Sequence, residues 1–376
     1  MKILYISGAF PPMKCGVGDY LYQLLSEIRK MPNLDISLIT SVGCIEQMQG
    51  VSIYPIIKRW DFTALPQIIK TVKEIRPDIV HIQYPTIGYK KYLSPSFLPA
   101  LLKILGIKKI VQTWHEPLSK KGLFRYFPNT LVDSIIINVE SDYLNKLPSF
   151  YAYLLKKKSR YYIPISSNIP ISKLDNREKL SLRKRIFKEQ YDKNIIAYFG
   201  FVTPNKGLEY LFEAANPEED CILLICELKE NDKYHDKIRK IINSSKWKGN
   251  VEVTGYLPDK EVANYLSIAD MAVFPFIKGC SERNGSVLAA RLQNTFVITT
   301  SFEKKGYFEN ERIYYVHPKS KKELEQAIVE SRKHNIYHRK HSSSLVKSWS
   351  EIAKMHVDVY KITKRNNQKR AENGVV

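Results

Sequence analysis

The chain has 376 residues, which is long for one domain and comfortable for two. Its hydrophobic content of 44% and charged content of 26% are typical of a globular protein, and its five scattered cysteines include no CxxC pair, which argues against a zinc ribbon or a thioredoxin-type redox site. The formal net charge of +21 favours an anionic partner (nucleic acid, an acidic membrane surface or a phosphorylated substrate), although a lysine-rich solvated surface would explain part of it.

The N-terminal apolar run is too short for the core of a signal peptide, and no stretch approaches the ~20 apolar residues of a membrane span. We therefore expect a cytoplasmic protein without a transmembrane helix. Basic clusters such as Lys90-Lys91 and Lys156-Lys157-Lys158 would allow a peripheral position on the inner face of the cell membrane.

Within the first half, short β-branched runs alternate with amphipathic helical patterns, which predicts βαβ units and a parallel sheet. The predicted helices cover Tyr20–Lys30 and Leu65–Ile75. The predicted strands are Lys2–Ser7, Ile36–Thr40, Ile79–Gln83, Ile110–Thr113 and Ser134–Val139.

A second series of the same kind follows a loop-like connector at Ile163–Arg177. A helical pattern then runs from Glu323 to about Thr363, before a polar tail that begins at Lys364. The predicted strands of this series are Ile195–Phe201, Cys221–Ile225, Val251–Thr254, Met271–Phe276, Phe296–Thr300 and Ile313–Val316.

The two series predict an α/β fold with two Rossmann-like, doubly wound domains that face each other across a cleft. The first domain would span residues 1–165 and the second residues 166–345. Residues 346–376 would form a C-terminal helix that crosses back to the first domain and ends in a frayed tail. Since ligands of such sheets bind outside the carboxyl ends of the strands, we expect the site in the cleft.

The loop after the first predicted strand contains Cys15-Gly16-Val17-Gly18-Asp19. Its glycines and the following helix N-terminus would let backbone N–H groups approach an anionic ligand. The segment is neither GxGxxG nor a P-loop, so standard dinucleotide binding and Walker-type NTPase chemistry are not supported. Taken alone, a tight turn in which Asp19 caps the helix explains it.

Two loops of the second half carry candidate donor-binding side chains. Lys206, in the Gly200–Gly207 loop, could bind a phosphate as a point charge. Tyr256 precedes a helix that Asp259 would cap, and its ring could pack against a nucleobase. Ordinary strand-to-helix turns with solvated side chains would explain both loops as well.

A third loop joins a predicted strand to a helix that begins near Gly285. Glu282 in this loop could bind sugar hydroxyls. The N–H groups of Gly285 and Ser286 could hold a phosphate at the helix N-terminus. A solvated loop followed by an ordinary helix cap is the alternative.

In their order along the chain, these segments resemble glycosyltransferase family 4, which has the GT-B fold. The resemblance covers nearly the whole sequence, and it is the ordered set rather than any single motif that is specific. The matching segments are Phe10-Pro11-Pro12 through Gly18, Val80-His81-Ile82-Gln83-Tyr84, Thr113-Trp114-His115-Glu116, Gly200 to Gly207, Thr254-Gly255-Tyr256-Leu257-Pro258 through Ala269-Asp270, and Ser281-Glu282 onward.

The resemblance implies roles for individual residues. Lys206 would bind the donor diphosphate, Glu282 the hydroxyls of the donor sugar, and His115 would lie next to the transferred sugar; these are the predicted catalytic residues. A satisfied strand-end histidine would also explain His115. The predicted donor-binding residues are Gly16, Gly200, Tyr256, Leu257, Arg283, Asn284, Gly285, Ser286 and Val287.

Two positions depart from the family pattern. Phe201 stands where many relatives carry a phosphate-binding arginine, and Ala290 stands where a second glutamate would contact the ribose. We hypothesise that Arg283 supplies the missing positive charge.

The resemblance further implies a retaining transfer in which the donor phosphate accepts the acceptor's proton. The donor would be a UDP- or GDP-linked sugar, and the acceptor a glycan or lipid-linked glycan. No cofactor or metal is expected, and the chain contains no Asp-x-Asp dyad.

Three other functions remain open from the sequence. One is a sugar-nucleotide-binding protein with weak or no transferase activity. The second is a nucleic-acid-binding protein, which no helix-turn-helix, zinc finger or RNP motif supports. The third is an epimerase or phosphorylase of the same fold, because a fold does not determine a reaction.

Overall fold

The computed structural model describes residues 1–116, 120–333 and 346–362. Its residues form two compact units. The first unit comprises Met1–Ile165 and the segment that begins at Lys347, and the second comprises Ser166–Val346. Within the described ranges, no helix is both long and apolar enough to cross a membrane.

Strands and helices alternate along both units, as βαβ units require. The strands are β1 (Lys2–Ile6), β2 (Asp35–Ser41), β3 (Val51–Ile57), β4 (Ile79–Tyr84), β5 (Lys109–Trp114), β6 (Ile135–Asn138), β7 (Arg160–Tyr162), β8 (Asn194–Phe199), β9 (Asp220–Ile225), β10 (Val251–Val253), β11 (Met271–Phe274), β12 (Phe296–Thr300), β13 (Gly306–Phe308) and β14 (Ile313–Val316). The α-helices are α1 (Gly16–Ile28), α2 (Leu65–Ile75), α3 (Leu98–Ile104), α4 (Lys120–Leu131), α5 (Ser149–Lys156), α6 (Asn176–Phe187), α7 (Leu208–Ala214), α8 (Lys233–Ile242), α9 (Asp259–Ser267), α10 (Gly285–Leu292), α11 (Lys321–Lys333) and α12 (Trp349–Lys361).

Each unit contains one seven-stranded sheet. The first is parallel throughout, in the order β3-β2-β1-β4-β5-β6-β7. The second has the order β10-β9-β8-β11-β12-β14-β13 and is parallel except for its last pair. In both sheets the strand order reverses beside the first strand of the unit, which is the doubly wound topology. The predicted fold class of two Rossmann-like, doubly wound domains is confirmed.

The topology determines where a ligand can bind in each unit. A doubly wound sheet accepts its ligand at the carboxyl ends of the two strands that flank the reversal. These strands are β1 and β4 in the first unit and β8 and β11 in the second. The loops that follow them are therefore the first places to look for a site.

All eleven predicted strands are present with end shifts of at most two residues. Ten of them lie in the interior of a sheet, where buried parallel strands form apolar runs, and the eleventh, β10, is an edge strand. Three strands were not predicted, namely β3, β7 and β13, and all three lie at sheet edges. β3 contains Pro55, which an edge strand tolerates because one side of it needs no hydrogen-bond donor. The helical pattern from Glu323 is divided between α11 and α12, and residues 334–345 and the tail from Lys364 lie outside the described residues.

Alternate residues of β1 supply the two cores of the first unit. Leu4 and Ile6 pack on one face of the sheet with residues of α2, α3 and α5. Ile3 and Tyr5 pack on the other face with α1 and the C-terminal helix α12. The hydroxyl groups of Tyr5 and Tyr360 lie 2.8 Å apart, so α12 is joined to the central strand by a buried hydrogen bond.

Candidate functional site

The loops that follow β8 and β11 are locked together at the reversal point of the second sheet. Gly207 adopts a left-handed conformation with a φ of 64°, and a Cβ atom there would lie 2.4 Å from the carbonyl oxygen of Pro275. The amide N–H of Ile277 donates to the carbonyl of Asn205 over 3.0 Å. Only glycine allows this close approach of the two backbones, so these contacts fix the position of Lys206 next to the end of β11.

Lys206 projects from this junction onto an aromatic ring. Its Nζ atom lies 4.3 Å from the centroid of the Phe276 ring, within the range of a cation–π contact. Burial lowers the pKa of Lys206, since removing an ammonium group from water disfavours its charged form, while nearby Cys280 acts in the opposite direction. A partly desolvated cation of this kind gains strongly from an anionic partner.

Cys280 lies near Lys206, and its thiol is uncharged. Burial raises the pKa of its thiol to about 11, so the thiol stays protonated near neutral pH. Its amide N–H donates to the carbonyl of Thr300 over 2.7 Å, which fixes the loop after β11 against the end of β12. No thiolate therefore competes with a phosphate for Lys206.

The N-terminus of α10 lies beside the loop after β8. A Cβ atom placed on Gly200 would lie 3.9 Å from the Cβ of Ser286, in the first turn of α10. Asn284 occupies the N-cap position, but its side chain does not cap the helix. Its Oδ1 atom instead accepts hydrogen bonds from the backbone N–H of Ser281 at 2.7 Å and from the Ser281 hydroxyl at 3.1 Å.

This geometry leaves the first-turn N–H groups of α10, from Gly285 to Val287, without a side-chain cap. Together with the helix dipole, they form a place where a phosphate is favoured. The Val287 side chain is buried in the core, so only its backbone is in a position to bind a ligand. The sequence analysis predicted that N–H groups of this same turn, those of Gly285 and Ser286, bind a phosphate.

The remaining predicted residues of the second unit differ in their position relative to Lys206. Glu282 is exposed and Arg283 half-buried, and both stand in the loop before α10. Tyr256 is 84% exposed, next to half-buried Leu257, in the loop after β10. β10 is separated from β8 by β9, so this loop lies on the same edge of the sheet but two strands away from Lys206. Pro258 is the N-cap of α9, so the prediction that Asp259 caps this helix was wrong.

The structure also locates the two departures from the family pattern. Phe201 is 85% exposed in the loop after β8, where its ring lies in solvent. Ala290 has no exposed surface and packs in the core of the second unit, so position 290 offers no polar group to a ligand.

In the first unit, His115 directly follows β5 and is held by its neighbours. Its backbone N–H donates to the carbonyl of Tyr84 over 2.7 Å, and its Nε2 atom lies 2.8 Å from Oε1 of Gln83. Its ring meets the ring of Tyr20 edge-on at a centroid distance of 4.7 Å. The side chain is 7% exposed, so His115 is rigidly oriented.

Gly16 lies on the same helix, α1, as Tyr20, whose ring contacts His115. Gly16 is the first residue of α1, one turn before Tyr20, and a Cβ atom there would meet nothing within 4 Å. Cys15 occupies the N-cap position without a side-chain capping bond, so the suggestion that Asp19 is the N-cap was wrong, and Asp19 lies in the first turn instead. An acidic residue in that turn still complements the helix dipole.

The C-terminal helix completes the surroundings of His115. The Tyr20 hydroxyl lies 2.7 Å from Nε2 of His356 on α12. Nδ1 of His81 lies 2.6 Å from the Tyr360 hydroxyl on the same helix. Burial lowers the pKa of His356 to about 3 and that of His81 well below its ordinary value, so both rings are neutral near pH 7.

Several contact residues of this machinery were not assigned a role from the sequence. Tyr20 and Gln83 orient His115, and Phe276 and Cys280 surround Lys206. The available signal was polar residues in an otherwise apolar strand, as in Val80-His81-Ile82-Gln83-Tyr84. Across the three described ranges, no group of three or more His, Cys, Asp or Glu side chains is arranged to hold a metal ion.

Comparisons with known proteins bear on the family and the fold of the chain. The family model described as glycosyl transferases group 1 matches residues 182–347, which lie almost entirely in the second unit. A Bacillus subtilis (strain 168) protein named for a role as a glycosyltransferase in teichuronic acid biosynthesis, TuaC, is 24% identical over an alignment of 375 residues, gaps included, and the match covers 88% of this chain and 88% of that protein.

Two solved structures resemble the whole chain in fold. Sucrose-phosphate synthase from Thermosynechococcus elongatus aligns with a TM-score of 0.68 and 17% identity, covering 96% of this chain and 98% of that one. Anabaena HepE in complex with UDP aligns with a TM-score of 0.68 and 14% identity, covering 99% of this chain and 100% of that one. Residues 182–347 therefore carry the domain of the group 1 glycosyl transferases, which confirms the resemblance drawn from the sequence.

Proposed function

We propose that this glycosyltransferase moves a sugar from a nucleotide-sugar donor to a glycan or lipid-linked acceptor during the synthesis of a cell-surface polysaccharide or glycoconjugate. The observation that carries the proposal is the position of Lys206, half-buried at the reversal point of the second sheet. Two comparisons support it: HepE was solved in complex with UDP, and TuaC is named for teichuronic acid biosynthesis.

In this proposal the donor diphosphate binds between two kinds of positive group. Lys206 moves from the face of Phe276 to the phosphates, and this exchange is favourable because a phosphate offers a desolvated ammonium much more than a ring quadrupole does. The first-turn N–H groups of α10 bind the phosphates from the other side. Glu282 accepts hydrogen bonds from the hydroxyls of the donor sugar, and Arg283 adds positive charge that Phe201 cannot supply.

The remaining donor contacts follow from the loops of the same sheet edge. Tyr256 and Leu257 hold the nucleobase, with the exposed Tyr256 ring as the stacking surface. Gly200 allows the backbone to approach the donor closely, and Gly16 of the first unit lies by the diphosphate or the acceptor. The base is uracil or guanine.

Chemically, the main task is to stabilise the departing nucleoside diphosphate. The α10 N–H groups are preorganised for the charge that develops on it, and Lys206, once it has moved onto the phosphates, adds its positive charge, which is how such sites lower a barrier. The donor phosphate accepts the proton of the acceptor hydroxyl, and the sugar is transferred with retention and without a metal. His115 contacts the transferred sugar, and its ring is held in one orientation by Gln83 and Tyr20.

Donor binding is tested by thermal shift with UDP, GDP and their sugar conjugates, since a bound ligand raises the unfolding temperature. Lys206→Ala should weaken binding of the matching donor by roughly 10- to 100-fold, the range expected on losing a hydrogen bond to a charged group. Lys240→Ala, which removes an exposed lysine of α8, is the matched control and should bind normally. Equal affinities of the two variants would refute the role of Lys206.

Binding of a nucleotide sugar without transfer is the second candidate, and position 290 favours it. Ala290 is fully buried, so the ribose loses one polar contact, and Phe201 provides no charge for the leaving group. Proton NMR of the anomeric signals during incubation with donor and acceptor glycan separates the two functions. A product with the donor's anomeric configuration supports retaining transfer, an inverted product contradicts retention, and donor binding with no turnover supports the second candidate.

A further inference from the structure

Helices α4 and α5 of the first unit expose a continuous strip of apolar side chains. On α4, Phe124 is 83% exposed and Leu131 is 62% exposed, and on α5, Phe150 is 59% exposed and Tyr153 is 55% exposed. Phe127, between the two α4 residues, stacks on Phe150 with ring centroids 6.3 Å apart. We call these five residues the α4–α5 surface.

Their spacing places them on one side of each helix. Phe124, Phe127 and Leu131 follow one another at i, i+3 and i+7, which is a single stripe of an α-helix. Phe150 and Tyr153 are three residues apart on α5. Because the Phe127–Phe150 stack joins the two stripes, the rings form one surface rather than scattered exposed positions.

Cations surround this surface. The Lys157 ammonium lies 4.3 Å from the centroid of the Tyr153 ring. In the middle of α4, a guanidinium nitrogen of Arg125 donates to the carbonyl of Lys90 over 2.7 Å, which places the Lys90-Lys91 pair next to this helix. Both of these lysines are exposed, as is Lys156 at the end of α5.

Acidic residues are absent from both helices. Neither α4 nor α5 contains Asp or Glu, and the sequence has none between Asp142 and Asp175. A nucleic acid, or a protein surface that is acidic and without apolar groups, would neutralise the lysines but leave Phe124, Phe150 and Leu131 in water. A bilayer with anionic headgroups satisfies both features, because rings enter the interface while lysines remain at the headgroups.

We infer that the α4–α5 surface docks the first unit on an anionic lipid bilayer. The inference rests on the lipid-linked acceptor in the proposed function, and it would bring the chain to the surface that holds such an acceptor. It is an attachment in the plane of the membrane interface, driven by apolar burial and by headgroup attraction together.

Sedimentation of the full chain with vesicles tests this inference. The vesicles contain phosphatidylglycerol and phosphatidylethanolamine, with phosphatidylcholine vesicles as the neutral comparison. The wild-type chain should bind the anionic vesicles and be released by high salt. The double variant Phe124→Ser/Phe150→Ser should bind them roughly tenfold or more weakly, because less apolar surface enters the interface. The control variant Val42→Ser/Ile45→Ser removes exposed apolar residues that follow β2, toward the end of the strand order opposite to β6 and β7. It should bind as the wild type does.

A second pair of variants separates local charge from net charge. Lys156→Glu/Lys157→Glu should weaken binding roughly tenfold or more, given about 1 kcal/mol for each cation at an anionic surface. Lys240→Glu/Lys246→Glu makes the same change in net charge on exposed lysines of the second unit and should have little effect. Equal weakening by the two variants would reduce the effect to net charge and overturn the inference.

Three other results would also overturn it: no binding by the wild-type chain, equal binding to neutral vesicles, or normal binding by the Phe124→Ser/Phe150→Ser variant. The donor thermal shift is measured on the same samples and should be unchanged in every variant, since all the replaced residues are exposed and none belongs to the proposed donor site. If the chain binds vesicles but no donor raises its unfolding temperature, the proposed function is refuted and the membrane-docking inference is retained. If a donor raises the unfolding temperature but the chain does not bind vesicles, the inference is refuted and the proposed function is retained.

Discussion

Acidification should weaken the attachment of the C-terminal helix to the first unit, because His356 is buried as a neutral ring. The His356 side chain has no exposed surface, and its Nε2 atom is bonded to the Tyr20 hydroxyl at 2.7 Å. Charging this ring inside the protein would remove an imidazolium from water without an anion to pair with it. The folded chain therefore resists protonation at this position, whereas the unfolded chain does not.

The size of the effect follows from the two pKa values. The pKa of His356 is about 3 in the folded chain, against 6.5 for an ordinary histidine. Because the folded-state value is the lower one, the contribution of the neutral ring is complete above the unfolded-state pKa and is lost as the pH falls from there toward about 3. Each pH unit in that window removes about 1.4 kcal/mol, so His356 alone accounts for about 2 kcal/mol at about pH 5.

The assay is urea unfolding followed by tryptophan fluorescence, at neutral pH and near pH 5, for the wild type and for His356→Gln. Many carboxylates also change with pH, and His81 adds its own loss, but these contributions are common to both proteins and cancel in the comparison. The wild type should therefore lose about 2 kcal/mol more than the variant on acidification. At neutral pH the variant should already be less stable by about 1 kcal/mol if glutamine fails to replace the bond to Tyr20.

His317→Gln supplies the control, because the side chain of His317 is exposed. This variant should keep the acid sensitivity of the wild type. If His356→Gln loses as much stability as the wild type between the two pH values, within about 0.5 kcal/mol, then His356 is not a neutral buried ring in the folded chain and the reasoning is refuted.

The other predictions concern single positions. Gly207→Ala should destabilise the chain by more than about 1 kcal/mol in urea unfolding, because φ is 64° and the new Cβ would lie 2.4 Å from a carbonyl oxygen. Gly285→Ala meets nothing within 4 Å and should leave the unfolding free energy almost unchanged. Ser348→Ala removes the capping box of α12 and should cost about 1 kcal/mol in the same assay. Arg283→Ala should weaken donor binding roughly tenfold in a titration, and unchanged affinity and turnover would reject the compensation for Phe201. Tyr20→Phe should lower kcat in the transfer assay while the donor thermal shift stays normal.

The strands could be predicted because their pattern is local. Buried parallel strands are apolar on successive residues, and such runs as Ile195–Phe201 or Phe296–Thr300 are visible in the sequence alone. The missed strands lie at sheet edges, where burial is partial and Pro55 or a run of only three residues removes the signal. The helix caps at Asp19 and Asp259 were misassigned because an acid in the first turn and an acid at the cap look alike in a sequence.

The candidate site was predictable only where its residues belong to loops at strand ends. Topology alone brings the Gly200 loop and the start of α10 to one edge of the second sheet, and the structure places Gly200 beside Ser286. The supporting contacts could not be predicted in this way. Tyr20 and His356 are 336 residues apart in the chain, and no local pattern indicates that their side chains meet.

The two groups of candidate residues are fixed by different physical means, and this determines how each should respond to change. Lys206 is positioned by backbone contacts within one unit: a left-handed glycine, and the hydrogen bond between Ile277 and Asn205. His115 is positioned by side chains, since Gln83 and Tyr20 hold its ring and Tyr20 is held in turn by α12. A defect in α12 should therefore disturb His115 while the donor groups of the second unit keep their geometry. In kinetic terms, His356→Gln should lower turnover and leave the donor thermal shift intact, whereas Gly207→Ala should reduce that shift.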